Sequence, residues 1–255
     1  MKIFTGLFMA WGNFLTIPCP LKKWDSDLKN YMLGFLPSVG LILGALWAAF
    51  SLLLVLIGTP FLVMSFAITF VLFAFCGFMH LDGFMDCCDA IMSRKPLEIK
   101  QQILKDSHCG AFSVVSVVFM ILAYYSCIST AISGSVDFVD LCLIPVLSRA
   151  VAGASILLRK PIGHSQYAEG AGAEDTAQKK KAAFLILLQV ILFCGIGFFV
   201  ATSFLATLIV IAATVLGTYF ATVYGKRQLG GMSGDIAGFS IVWGELAGIF
   251  GMLLL

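Results

Sequence analysis

The stretch Phe61-Leu-Val-Met-Ser-Phe-Ala-Ile-Thr-Phe-Val-Leu-Phe-Ala-Phe-Cys-Gly-Phe-Met79 carries no charge and runs straight into His80-Leu-Asp-Gly-Phe-Met-Asp-Cys-Cys-Asp89. The apolar part is long enough to cross most of a bilayer, which takes about 20 residues. The acidic part sets Asp82, Asp86 and Asp89 four and three residues apart. On a helix those spacings bring side chains to one face, where like charges repel. Mg²⁺ removes the repulsion, because it takes oxygen ligands and is usually held by one or two carboxylates with substrate phosphates. The stretch predicts a metal site at a membrane surface. Without a metal, it reads as a solvated acidic helix end.

The rest of the chain agrees with the membrane reading. Of its residues 60% are hydrophobic and 12% charged, whereas soluble domains carry about 25% charged residues. The eight cysteines (Cys19, Cys76, Cys87, Cys88, Cys109, Cys127, Cys142 and Cys194) show no metal-knuckle or secreted-framework spacing. Several lie in apolar runs, where cysteine acts as a small hydrophobe. They are expected to be reduced thiols. The N-terminus has no small-residue cleavage site, so it is expected to be retained.

Taken outward from the acidic stretch, the pattern predicts an all-α, polytopic helical bundle in one membrane-embedded domain, residues 1–255. About seven spans are expected: 33–57, 61–79, 112–132, 141–158, two within 182–223 hinged near 201–204, and 236–255. Residues 3–17 are too short to span and end at Pro18, so a short N-terminal interfacial or re-entrant helix is expected there. Gly40-x-x-x-Gly44 fits close helix packing. Residues 97–104 have partly helical apolar spacing and predict a short amphipathic surface helix.

This order puts the loops 18–32, 80–111, 159–181 and 224–235 on one side. Lys2 joins them if the first segment does not cross, and every Lys and Arg except the intramembrane Arg149 then shares that side, while the opposite turns near 58–60, 133–140 and 201–204 hold none. By the positive-inside rule the acidic motif faces the cytoplasm. The same side gathers Lys105-Asp106-Ser107-His108, Ser148-Arg149 and Gly230-Gly-Met-Ser-Gly-Asp235. Carboxylates beside Lys, Arg and glycine-rich backbone suit a phosphorylated substrate. Each part also has a plain structural reading: loop cations follow from topology, and glycine-rich turns are common between helices. Arg149 and Glu245 lie inside apolar spans, where a charge marks either function or a partner, and the two could pair with each other. Of the histidines His80 is best placed, two residues from Asp82. His108 and His164 read as polar loop residues.

These motifs together resemble the cobalamin synthase family, the membrane-bound adenosylcobinamide-GDP ribazoletransferases. The resemblance rests on Phe14-Leu-Thr-Ile-Pro18, His80 to Asp89, Ile103-Leu-Lys-Asp-Ser-His-Cys-Gly-Ala-Phe112, Ser148-Arg149, and Gly230-Gly-Met-Ser-Gly-Asp-Ile-Ala-Gly238 with Glu245 behind it. The pieces span nearly the whole chain in the family's order. The opening motif lacks the arginine often found between Thr16 and Ile17, and Cys87, Cys88 and Cys109 replace smaller or more polar residues.

The resemblance implies an Mg²⁺-dependent transferase that closes the nucleotide loop of cobalamin (vitamin B12). The ribose 5′ oxygen of α-ribazole, or of its 5′-phosphate, attacks the phosphorus nearest the corrinoid, and GMP leaves. Asp82, Asp86 and Asp106 are the expected metal ligands. Asp89 is the candidate general base, with a ligand role as the alternative. Lys105, Arg149 and Arg227 would contact phosphates. Ser233 and Asp235 would bind a nucleotide or a second metal, and His80 and Ser107 are counted with the substrate-binding residues. The implied setting is a bacterial inner membrane, multi-pass, with the active site facing the cytoplasm. Expected partners are the two substrates, the lipid bilayer, and a second copy of the chain or other cobalamin-assembly enzymes, with no nucleic acid.

Three rival readings follow from the residues. CDP-alcohol phosphotransferases also use an Asp-Gly motif, but with an Ala-Arg pair after it. Membrane prenyltransferases carry two aspartate-rich motifs, and here the second is reduced to Asp106 or Asp235. A cation transporter would place its carboxylates near the bilayer midplane on broken helices, whereas these sit at a helix end beside cationic loops.

Overall fold

The structure is a computed structural model that describes residues 2–134, 137–163 and 173–254. The described residues form eleven α-helices: α1 (Lys2–Phe14), α2 (Lys29–Gly34), α3 (Leu36–Leu56), α4 (Phe61–Ala74), α5 (Met79–Met92), α6 (Leu97–Ile103), α7 (Ala111–Ser133), α8 (Phe138–Leu158), α9 (Ala173–Val200), α10 (Phe204–Leu229) and α11 (Gly234–Gly251). The all-α expectation holds. The one β feature among the described residues is a bridge between Pro161 and Met232.

Among the described residues, five helices are long and apolar enough to cross a membrane: α3, α7, α8, α9 from Asp175, and α10. The pair α4 and α5 makes a sixth if it is taken as one bent span. The expected count of seven is thus not reached by length and composition. The eighteen-residue α11 carries Asp235 in its first turn and Glu245 near its middle, and is mostly buried. Its surroundings are protein more than lipid, which relaxes the demand for an apolar surface. The N-terminal segment does not cross. At about 1.5 Å per residue, the thirteen-residue α1 falls short of a hydrocarbon core of about 30 Å. The segment after it is tied down by Thr16 N–H donating to the Phe75 carbonyl at 2.9 Å.

The central helix is α8, with 78% of its apolar window buried against 17% for α9. Its neighbour α3 approaches through glycine. A Cβ on Gly40 would run into the Pro145 carbonyl, and one on Gly44 would lie 2.6 Å from the Cys142 carbonyl oxygen. On the other side α10 and α11 close tightly. The hydroxyls of Thr214, Thr218 and Thr222 each donate to the carbonyl four residues earlier. Their polarity is therefore satisfied within α10, and Gly244 and Gly248 of α11 can press against Thr218 and Thr214.

Three boundaries differ from the sequence reading. The run 61–79 is not one helix. Gly77 and Phe78 both take φ of 60°, a left-handed pair that cannot continue a right-handed helix. The acidic motif therefore forms a helix of its own, α5, turned 83° from α4 and lying outside the five spans. Next, α9 starts at Ala173 and carries Lys179–Lys181 within it, where a polar loop to residue 181 was expected. Good helix formers and an Asp175–Lys179 pair at 2.6 Å extend it. The glycine-rich part of that loop, with His164 and Glu169, lies outside the described residues. Third, α3 begins at Leu36, because residues 29–34 form the separate α2.

The hinge near 201–204 is as expected. There Asp137 accepts hydrogen bonds from Thr202 N–H and Oγ1, both at 2.8 Å. The surface helix α6 also forms, tied to the end of α10 by Gln101 Nε2 donating to the Leu229 carbonyl at 2.8 Å.

Replacing Gly40 with valine should separate α3 from α8. The clash is with backbone, so the loss should exceed the about 1–3 kcal/mol of ordinary overpacking. Thermal unfolding in detergent checks this, with Gly195→Ala, a site with open space around it, as the neutral control.

Candidate functional site

The acid-bearing helix reaches its place through two glycines. A Cβ on Gly83 would lie 2.9 Å from both the Cα and the carbonyl oxygen of Asp235, and one on Gly238 would lie 3.1 Å from the His80 carbonyl oxygen. With hydrogen in those positions, α5 and α11 cross backbone to backbone. The crossing sets the exposed Asp82 and half-buried Asp86 of α5 beside the half-buried Asp235 in the first turn of α11. Phe84 and Phe239 stack at 5.7 Å and hold the same contact.

The start of α11 is built by Ser233. Its Oγ accepts the Ile236 N–H at 3.3 Å and donates to Asp235 Oδ2 at 3.3 Å. The segment before it is clamped by backbone bonds from Ile162 N–H to the Met232 carbonyl and from Met232 N–H to the Lys160 carbonyl, both 2.9 Å. Gly231 fits there because a Cβ would meet Ile162 N at 2.7 Å. The glycine-rich stretch thus leads from the left-handed Gly230 at the end of α10 into the acid cluster.

The carboxylates act on one another. Burial, then the charges of Asp82, Asp235 and Asp89, push the Asp86 carboxyl up to about 7. A field of that kind favours a bound cation. Among the described residues, no three His, Cys, Asp or Glu side chains stand together as a ready metal cage. Mg²⁺ needs no such cage, since it is usually held by one or two carboxylates and completes its shell with water and phosphate oxygens.

The remaining predicted residues separate into three places. Asp89 accepts the N–H of Gly110 at 2.7 Å on one oxygen and that of Ser113 at 3.0 Å on the other. It caps the N-terminus of α7 and ties α5 to it, so both oxygens that a general base or ligand would use are engaged. Asp106 lies in the exposed loop before α7. Its Oδ1 accepts the His108 N–H at 3.0 Å and meets His108 Nδ1 at 2.6 Å. The pair holds the Asp106 carboxyl below its usual value and raises His108. Asp235 is among the charges that raise Asp86. Lys105, Ser107 and Arg227 are exposed.

Arg149 is elsewhere. It is 1% exposed and ion-paired with Glu245, itself 2% exposed. Its Nη2 donates to Cys76 Sγ at 3.2 Å, and Ser148 Oγ donates to Glu245 at 3.3 Å. Of the two readings of these intramembrane charges, mutual pairing is the observed one. The pair joins α8 to α11 and to the end of α4. His80 is buried against the same knot, and its Nε2 has no hydrogen-bond partner among the described residues. Gly83 and Gly238, which set the crossing, were not singled out from sequence. A faint signal existed in the four-residue glycine spacing 234, 238.

A family model described as Cobalamin-5-phosphate synthase matches residues 6–253. The chain belongs to this family. A relative from Clostridium perfringens (strain 13 / Type A), named adenosylcobinamide-GDP ribazoletransferase, is 37% identical over 254 residues, covering 98% of both chains. Relatives with the same name come from Clostridium botulinum (strain Alaska E43 / Type E3), 31% identical over 99% of this chain and 98% of theirs, and from Halalkalibacterium halodurans, 31% identical over 94% and 92%. No solved structure matches. The family match covers every motif in the site, from Phe14 to Glu245.

Two outcomes follow. Arg149→Met alone should cost about 3–5 kcal/mol, because it strands a buried carboxylate, whereas Arg149→Met with Glu245→Met should recover most of the loss. Unfolding of the three proteins in detergent compares them. Asp89→Ala should lower stability by about 0.5–2 kcal/mol through the lost helix cap, while Asp82→Ala, at an exposed position, should unfold like the wild type.

Proposed function

We propose that this chain is an Mg²⁺-dependent transferase that joins adenosylcobinamide-GDP to α-ribazole, or to its 5′-phosphate, giving the cobalamin product and GMP. The observation that carries the reading is the family match over residues 6–253. The convergence of Asp82, Asp86 and Asp235 supports it, being a site suited to a diphosphate and its cation.

In this reading the ribose 5′ oxygen forms a bond to the phosphorus nearest the corrinoid, the bond from that phosphorus to the GMP oxygen breaks, and the hydroxyl proton passes to a base. Mg²⁺, when bound, neutralises the diphosphate charge. One or two of Asp82, Asp86 and Asp235 would hold it, with water and phosphate oxygens completing the shell. Asp106 ranks behind Asp235 because its Oδ1 is engaged by His108 in the exposed loop. Lys105 and Arg227, exposed and cationic, offset the phosphate charge that remains. Ser233, buried and hydrogen-bonded to Asp235 and Ile236, fixes the start of α11, where the helix dipole favours an anion. Asp89 positions rather than reacts: it fixes the loop bearing Lys105 to Ser107 relative to α5. Arg149 holds α8, α11 and the α4 end together beneath the site.

The distribution of Lys and Arg supports a cytoplasmic orientation for this end of the bundle, in a bacterial inner membrane.

The test is direct. Purified protein is incubated with adenosylcobinamide-GDP, Mg²⁺ and either α-ribazole or its 5′-phosphate, and GMP and the cobalamin product are read by mass spectrometry. Both should form, should vanish with a chelator and should return with Mg²⁺. Asp82→Ala and Asp86→Ala should each lower turnover by at least about a hundredfold in protein that still unfolds normally. Full activity in either variant would remove the metal assignment. Absence of GMP from folded wild type would remove the reaction.

A further inference from the structure

On α5 the three aspartates occupy one face, and Phe84, Cys88 and Ile91 lie on the opposite one, because successive residues rotate by about 100°. Behind that second face is a groove of about 470 Å³, lined among others by Phe84, Cys88 and Met92 of α5, Val115 and Phe119 of α7, and Trp243 of α11. Its wall is aromatic: Phe84 and Trp243 meet edge to face at 6.4 Å, and Phe239 and Trp243 at 6.5 Å. The groove opens outward, with Phe119 69% and Trp243 42% exposed. In water such a patch would be a liability. Here it lies beside α7 and α10, both long and apolar enough to cross a membrane, so what surrounds it is acyl chain. Its volume falls in the range of small-molecule sites, about 300–1,000 Å³. A second helix, about 10–12 Å across with side chains, would need a longer trough.

Met92, at the α5 end of the groove's lining, is the last residue of that helix, and the chain passes through Ser93 to Arg94 and Lys95, both exposed. Neither is ion-paired among the described residues. Arg94 takes φ of 53°, a left-handed conformation uncommon for a side-chain-bearing residue. Ser93 shapes the turn, donating from Oγ to the Ala90 carbonyl at 2.7 Å and accepting the Lys95 N–H at 3.3 Å. An apolar slot with two exposed cations two and three residues beyond its lining residue Met92 matches one molecule present in any bacterial bilayer.

We propose that this groove holds one acyl chain of an anionic phospholipid, with the lipid phosphate at Arg94 and Lys95. The site rests on the membrane reading but not on the transferase reaction, since it lies on the far face of α5 from the acids.

The test uses Trp243 as reporter. The protein is reconstituted in phosphatidylcholine vesicles doped with phosphatidylglycerol or phosphatidylcholine bearing brominated chains. Subtracting the emission of Trp243→Phe isolates the Trp243 signal. Brominated phosphatidylglycerol should quench that signal with about fivefold higher apparent affinity, or more, than brominated phosphatidylcholine, since each basic residue near an anionic headgroup is worth about that factor. Ala123→Phe, which fills the groove, should abolish the preferential quenching. Arg94→Gly with Lys95→Gln, in which glycine accepts the positive φ without strain, should leave quenching by the phosphatidylcholine probe unchanged and erase the preference. Equal quenching of wild type by both probes would overturn the proposal. So would a preference that survives the double variant, or a Trp243 shielded from both probes by a second copy of the chain.

Discussion

The site depends on one close approach, the crossing of α5 over α11 at Gly83 and Gly238. Neither helix can hold the cluster alone. On α5 the aspartates repel one another, and α11 contributes only Asp235. The crossing puts them in one electrostatic field, at the cost of raising the Asp86 carboxyl to about 7. Mutual repulsion of that kind favours a bound cation. The two glycines matter because any side chain there would meet backbone, which cannot swing aside.

A crossing under that load needs a rigid frame, and the frame is largely polar and buried. The Arg149–Glu245 pair links α8 and α11, and its Cys76 contact reaches the joint where α4 ends. Tyr124 donates from its hydroxyl to the Val242 carbonyl at 2.6 Å, adding α7. Asp89 ties α5 to the start of α7 from the other side. Inside a membrane, apolar contact with lipid is no worse than apolar contact with protein, so glycine packing, ion pairs and hydrogen bonds carry the specificity of association. Asp89 and Arg149, singled out from sequence for their charge, both make contacts that tie helices together.

Much was legible in advance because a bilayer enforces simple rules. Apolar length predicted helices and composition predicted a membrane. The Phe61–Met79 run misled because hydropathy is blind to backbone dihedrals. Gly77 and Phe78 are as apolar as their neighbours, yet their left-handed conformation breaks the helix and turns the acids into a separate element. The start of α9 misled for the opposite reason, since its charged residues are good helix formers and polarity alone does not end a helix.

The sequence by itself determined the all-α class, the membrane character and the motifs that place the chain in its family. Those follow from local composition and from residue order along the chain. Only the tertiary structure decided which charges meet. Asp86 feels Asp235, nearly 150 positions away. Asp89 spends both oxygens on a helix cap, and Arg149 is consumed by Glu245. Such choices are made where helices cross, and a crossing is set by the few places where two backbones can touch. Spacing along one chain does not reveal them.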